Sequence, residues 1–149
     1  MGKHAAGFTM VELVMMIVII GILAVVAIPR MDTGGYRALE FHDKVVSALR
    51  HAQKTATSHR RMVCVAFTAS TVTLTIDHDK SGACDGQALN LPGSDSHVVQ
   101  GSSATEGVFN PVPADFSFLS DGTTSAVISL LQISGQPAIS VVKETGHVQ

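Results

Sequence analysis

The chain has 149 residues, a formal net charge of −2 at pH 7 and 15% charged residues. This length accommodates one domain with an appended segment, and the slightly negative charge excludes a protein whose whole surface coats nucleic acid. Apolar residues make up 46% of the chain, a fraction that is raised by one run near the N-terminus. The remainder has the composition of an ordinary polar domain.

The first predicted element is an apolar helix over residues 8–28, in which the only polar side chains are those of Thr9 and Glu12. At 1.5 Å per residue this segment reaches about 31 Å, which matches the hydrocarbon core of a bilayer. A carboxylate at membrane depth costs about 2.5–3.5 kcal/mol, so Glu12 marks a function or a partner. Alternatively, Glu12 lies at the headgroup level, beside the positive end of the helix dipole.

Two simple interpretations of this apolar segment explain it only in part. A secretory signal peptide has a shorter apolar region without an acid, although Val25-Val26-Ala27 fits a cleavage site loosely. A plain membrane anchor accounts for the length of the run but not for the sequence GFTMVEL at residues 7–13. A third interpretation rests on that sequence.

The segment GFTMVEL, followed by an apolar helix and then Pro29, resembles the N-terminus of type IV pilins and type II secretion pseudopilins. The resemblance implies that residues 1–7 are a leader peptide. A prepilin peptidase is expected to cut this leader on the cytoplasmic side, between Gly7 and Phe8. Phe8 then becomes an N-methylated N-terminus.

The same resemblance gives Glu12 and Pro29 roles in assembly. An amine and a carboxylate in apolar surroundings offset each other's desolvation when they meet, so Glu12 of an incoming subunit is expected to pair with the Phe8 amine of a neighbour. Pro29 lacks a backbone N–H and clashes with the preceding turn, which predicts a helix kink. The expected partners are other pilin or pseudopilin subunits, the prepilin peptidase and N-methyltransferase, and the inner membrane. No cofactor is expected.

A second helical pattern follows, after a Gly34-Gly35 pair that permits a local break. Apolar residues recur at spacings of three and four, which predicts a helix that packs its apolar stripe on a sheet. The stripe consists of Ala38, Phe41, Val45, Leu49, Ala52 and Ala56. We therefore predict one long N-terminal helix, with a membrane-spanning first half over residues 8–29 and a second half over residues 30–60.

The rest of the chain, residues 61–149, is predicted to form a β-sheet head. The runs MVCVAFT and TVTLTI alternate in the manner of strands and are joined by Ala69-Ser70, which predicts a hairpin. Further strands are predicted at HVVQ, around Phe116 and Phe118, and in AVISLLQI and AISVVK, which are expected to pair across SGQP. The predicted fold class is α+β and pilin-like, with an antiparallel sheet as a periplasmic or extracellular head.

The C-terminal half is similar to the end of the GspH/FimT group of minor pilins and pseudopilins. The resemblance is carried by Phe118, Gly122 and the terminal Thr145-Gly146-His147-Val148. It implies a minor type IV pilin, a structural subunit that enters or primes a pilus filament. An H-type minor pseudopilin of a type II secretion system is the alternative. Either would be a single-pass inner-membrane protein with a periplasmic head before it joins a filament.

Some FimT-like pilins bind DNA in natural transformation, and basic residues of this chain raise that alternative. Lys/Arg clusters can bind phosphate backbones with salt-dependent affinity. The candidates are Arg50, Lys54, Arg60, Arg61, Lys143 and His147. His147 stands where the group usually has a final arginine, which weakens the DNA interpretation. A solvated helix face explains the same residues.

Two further patterns concern metal binding and the cysteines. Asp77, Asp79 and the following Ser81-Gly82 resemble the start of a calcium loop, but Ala88 occupies the position of the required glutamate. A polar turn is therefore favoured, and no metal site is predicted. Cys64 and Cys84 can form a disulfide worth about 3 kcal/mol in an exported head, or they can remain two buried thiols.

The seven histidines show no metal-ligand spacing, and none belongs to a recognised catalytic pattern. No glycine-rich phosphate loop is present in the sequence. Enzymatic activity is therefore not expected.

Overall fold

The structure is a computed structural model that describes residues 8–27, 33–101, 107–127 and 130–149. The chain divides after Thr33 into two units. The first contains helix α1, and the second contains nearly all of helix α2 together with the sheet. The predicted leader over residues 1–7, its predicted cleavage residue Gly7 and the predicted kink at Pro29 lie outside the described residues.

Helix α1 (Met10–Ala27) has 18 residues, so its length is about 27 Å, short of the 30 Å or so of a hydrocarbon core. Among the helices that the structure describes, none is both long enough and apolar enough to cross a membrane. The predicted membrane-spanning first half over residues 8–29 and the single-pass inner-membrane location are therefore wrong. The prediction of one long N-terminal helix is also wrong, because a separate helix α2 (Thr33–His59) follows α1.

Helix α2 begins before the Gly34-Gly35 pair, so those glycines lie in its first turn rather than at a break. Its spacing works as predicted: the apolar stripe is buried, while the charged residues between its members are exposed. The buried stripe comprises Ala38, Phe41, Val45, Leu49, Ala52 and Ala56. Tertiary burial of this stripe, more than helix propensity, stabilises the helix.

Strands β1 (Val63–Phe67) and β2 (Thr71–Ile76) form the predicted antiparallel hairpin. The backbone N–H of Thr68 donates to the Thr71 carbonyl at 3.0 Å, and this bond closes the turn. Alternate residues of both strands are buried, with Val63, Val65 and Phe67 on the inner face of β1. The period-two pattern therefore fixes which face of the hairpin joins the core.

Three short strands complete an antiparallel sheet of five strands. Strand β5 (Phe116–Phe118) pairs with the far side of β1. Strands β3 (Gln87–Ala88) and β4 (Val98–Gln100) both pair with β2. The order along the main path is β3-β2-β1-β5, with β4 beside β2. The antiparallel sheet agrees with the sequence prediction.

The C-terminal segment differs from the two paired strands that were predicted across SGQP. Leu131 and Ile139 exchange a single pair of backbone hydrogen bonds, at 2.8 and 2.9 Å. Val141 and Val148 form a further isolated bridge. Pro137 lacks the N–H that would extend this pairing toward the turn, so among the described residues the two segments pair at Leu131 and Ile139.

One hydrophobic core unites α2, the inner face of the sheet and the C-terminal bridges. The aromatic rings at its centre stack or meet edge to face: the Phe67 and Phe109 centroids are 5.4 Å apart and those of Phe116 and Phe118 5.3 Å. Leu131, Ile133 and Ile139 close the core from the C-terminal side. This unit therefore has a core made from its own residues.

Candidate assembly site

The N-terminus of α1 is capped by its own sequence. The Thr9 hydroxyl accepts the backbone N–H of Glu12 at 3.3 Å, and the Thr9 carbonyl accepts the N–H of Leu13 at 3.1 Å. Thr9 therefore occupies the N-cap and Glu12 the third helical position, which is the Thr-x-x-Glu order of a capping box. A carboxylate in this first turn also complements the positive end of the helix dipole.

Beyond this cap, α1 is apolar on every side. All large apolar side chains from Phe8 to Leu23 are exposed, with exposed fractions of 74% for Phe8, 82% for Met10 and 63% for Leu23. Helices that are apolar all round occur in nature surrounded by other apolar groups. Exposed apolar surface of this extent marks an interaction site.

Glu12 places a carboxyl group on this otherwise apolar surface. The Glu12 side chain is exposed one turn into the helix, and Phe8 precedes the helix by two residues. A carboxylate at this position can accept a hydrogen bond from an amine of a neighbouring chain. The cap would stay intact, because it uses the backbone N–H of Glu12 and not its side chain. The site can thus combine apolar packing with one ion pair.

The structure separates the predicted DNA-contacting residues. The Arg50 guanidinium donates to the Val148 carbonyl at 3.2 and 3.3 Å, which ties it to the C-terminal segment. Arg60 and Arg61 instead line a cleft at the end of α2, together with Lys80. The remaining candidates are exposed: Lys54, Lys143 and His147.

Cys64 and Cys84 are joined by a disulfide, which ties β1 to the loop before β3. The loop that resembles a calcium site is held by its own hydrogen bonds. The two carboxylate oxygens of Asp77 accept the backbone N–H groups of Ser81 at 3.1 Å and Gly82 at 2.9 Å. In the described ranges, no group of three or more His, Cys, Asp or Glu side chains is arranged to hold a metal ion.

Three exposed carboxyl groups have a lowered pKa, each because a nearby group stabilises the ionised form. The Lys44 ammonium, which donates to the Glu40 carboxylate at 2.6 Å, lowers the pKa of Glu40. Hydrogen bonds from Ser81 lower the pKa of Asp79. The backbone N–H of Thr123, followed by its hydroxyl, lowers the pKa of Asp121. Glu40 lies on the surface of helix α2, Asp79 and Asp121 lie in turns, and all three are outside α1.

Sequence reasoning missed the role of Thr9. The signal was present, because Thr9 is followed three residues later by Glu12 at the start of an apolar run. Thr9 thus belongs to the site as the residue that sets where the helix begins.

No protein-family model matches this chain, and neither a curated protein nor a solved structure matches it. The sequence motif at residues 7–13 and the exposed surface of α1 are therefore the grounds on which a function can be argued.

Proposed function

We propose that this chain is a minor type IV pilin, a structural subunit that enters or primes a pilus filament. In this proposal a prepilin peptidase removes residues 1–7 and Phe8 is N-methylated. The observation that carries the proposal is the surface of α1, which is apolar on all sides and exposed from Phe8 to Leu23. Such a surface is stable only when other apolar surface covers it.

In the assembled filament, helices of neighbouring subunits pack against the apolar surface of α1 and bury it. Full burial of one large apolar side chain contributes about 1.5–3 kcal/mol, whereas association costs about 4–15 kcal/mol in lost freedom of motion. Burial of several α1 side chains is therefore enough to drive assembly. Because α1 is apolar around its whole circumference, it can pack against several helices at once, as the centre of a helical filament requires.

Glu12 gives this packing a register. Apolar contacts alone allow neighbouring helices to slide, because the large side chains of α1 are similar along its length. A carboxylate buried without a partner costs several kcal/mol, whereas one that meets the Phe8 amine of a neighbour is compensated. The arrangement in which the two charges meet is therefore favoured over shifted ones.

An H-type minor pseudopilin of a type II secretion system would use the same surface and the same carboxylate. The two functions differ in where the assembled chain is found. A pilus subunit is recovered in filaments sheared from the cell surface, and a pseudopilin stays with the cell.

The proposal is tested by replacing Glu12 and measuring assembly. Glu12→Ala and Glu12→Gln should leave leader removal intact and reduce the amount of the chain in sheared filaments by about tenfold or more, because an unpaired amine remains. Glu144→Ala is the matched control, since Glu144 is an exposed carboxylate in the second unit. It should assemble like the wild type.

Normal assembly of both Glu12 variants would contradict the role of the carboxylate as a register. Equal loss in the Glu144 control would show that the assay responds to charge in general. Loss in the Glu12 variants alone supports the proposal.

A further inference from the structure

A cleft of about 420 Å³ lies where α2 ends, between that helix end, the Asp77–Gly82 turn and residues 119–121. Three cationic side chains line it: Arg60, Arg61 and Lys80. They come from two separate segments of the chain, so the fold, and not sequence proximity alone, brings them together.

Two of these three residues have an unfavourable backbone conformation. Arg60 has φ of 51° and Lys80 has φ of 61°, and they are the non-glycine residues with positive φ in the described chain. The N–H of Arg61 donates to the Ala56 carbonyl at 3.1 Å, a bond that ends a helix and that places Arg60 at the position where glycine is usual. Residues held in this region point to a function that outweighs the strain.

In the described parts of the chain, the carboxylates of Asp77 and Asp121 in the same cleft form no salt bridge with these cations. Both oxygens of Asp77 accept backbone N–H groups of its own turn, and an Asp121 oxygen accepts the N–H and hydroxyl of Thr123 at 2.9 and 2.8 Å. The ion pair found between a lysine or arginine and a carboxylate in the described parts of the chain joins Lys44 to Glu40. The three cleft cations take no part in it.

Stabilisation of the helix end accounts for only part of this arrangement. Cations near a helix C-terminus interact favourably with the helix dipole, and His59 already lies in the last turn of α2. Lys80 belongs to a different segment, yet it shares both the cleft and the unusual backbone. A ligand with negative charge explains both positions together.

We propose that this cleft binds one compact dianionic oxyanion group of the phosphate or sulfate class. The Arg60 guanidinium can donate to its oxygens in a forked geometry, and the Lys80 ammonium adds a point charge. Arg61, whose Nη1 donates to the Asp77 backbone carbonyl at 3.3 Å, can add its remaining N–H groups. The site is independent of α1 and of the proposed assembly.

The test uses the full chain in a non-ionic detergent and inorganic phosphate as the probe, with binding followed by NMR of the arginine and lysine side chains. Arg60→Gly/Lys80→Gly removes two cations and places glycine at both positive-φ positions. This variant should bind phosphate about tenfold more weakly or worse. Its midpoint of thermal unfolding should rise by several degrees, since glycine relieves the strain.

Two matched variants separate the effects of charge and backbone. Arg60→Lys/Lys80→Arg keeps both charges and should bind phosphate within a few-fold of the wild type. Lys54→Gln/Lys143→Gln removes two exposed cations outside the cleft and should also bind normally. A single-stranded oligonucleotide with hydroxyl ends offers only phosphodiester groups and should bind more weakly than phosphate.

The proposal is overturned by any of three results. The first is the absence of a saturable phosphate shift in the wild-type chain, and the second is unchanged binding in the double-glycine variant. The third is oligonucleotide binding that is tighter than phosphate binding and is lost in the same variant, which would make the cleft a nucleic-acid contact.

Discussion

The two units of this chain use apolar residues in opposite ways. In the second unit, Leu49 and Phe118 are fully buried in a core formed by α2, the sheet and the C-terminal segment. In the first unit, equally apolar side chains such as Leu23 and Ile17 are exposed. The difference shows that apolar content alone does not say where a surface finds its partner. The second unit buries its apolar groups in its own core, whereas the large apolar side chains of α1 are exposed.

This contrast also separates stability from assembly. The residues of the core cluster all come from the second unit. The described side chains of α1 contribute nothing to this core. Substitutions in α1 should therefore change assembly with little effect on unfolding, and substitutions in the core should do the reverse.

The largest expected effect compares two leucines, both in helices. Leu49→Ala removes a buried side chain and leaves a cavity, so it should lower the free energy of unfolding by about 2–5 kcal/mol. Leu23→Ala alters a side chain that is 63% exposed. It should change the free energy of unfolding by about 0.5 kcal/mol or less. Chemical denaturation of the full chain in non-ionic detergent measures both. A similar loss for both variants would erase the distinction between the units.

Reduction of the disulfide should also act on the second unit alone. The Cys64–Cys84 bond closes a loop across a sequence separation of 20, so its loss should lower the free energy of unfolding by about 3 kcal/mol. Cys64→Ser/Cys84→Ser should reproduce the loss and make the chain insensitive to dithiothreitol. If dithiothreitol destabilises the double variant as much as the wild type, the disulfide is not the cause.

A smaller effect is expected at the start of α1. Thr9→Ala removes the cap that accepts the Glu12 N–H and should destabilise the first turn by about 1 kcal/mol. Thr9→Ser retains the hydroxyl and serves as the control. Amide hydrogen exchange at Glu12 and Leu13 reports the result: faster exchange in the alanine variant only is predicted. Equal exchange in both variants would mean that the hydroxyl does not cap the helix.

The smallest effect concerns pH. Because hydrogen bonds from Thr123 lower the pKa of Asp121 in the folded chain, the ionised carboxylate stabilises the fold at pH values above its ordinary pKa. That contribution is lost as the pH falls through the lowered pKa, in the acidic range below about pH 4. Asp121→Asn should therefore flatten the acid side of the stability curve slightly relative to the wild type. The urea midpoint at several acidic pH values measures the difference.

Much of the second unit could be predicted from sequence, because its patterns are local. The spacing of Phe41, Val45 and Leu49 indicates one buried helix face, and the alternation in β1 and β2 indicates a hairpin. The boundary between α1 and α2 could be predicted only in part. Pro29 indicates an interruption close to the end of α1 at Ala27, but a proline alone does not distinguish a kink within one helix from the end of a helix.

Features that depend on distant contacts were also beyond the sequence. The turn between Leu131 and Ile139 could be predicted from its sequence. The number of residue pairs that bond beyond that turn could not, and the structure shows an isolated bridge there. The cleft that joins Arg60 and Arg61 to Lys80 depends on the packing of the Asp77–Gly82 turn beside the end of α2. Sequence predicted a basic cluster at Arg60 and Arg61, but it gave no means of finding Lys80.

The most direct test of the proposed role is the mass of the wild-type chain in sheared surface filaments, compared with the fraction that stays with the cells. The account predicts a chain in the filaments that starts at Phe8 and carries one additional methyl group on its N-terminal amine. The same processed chain found only with the cells would favour the pseudopilin. A chain that retains residues 1–7 in both fractions would contradict the proposal that α1 is the assembly surface of a pilin.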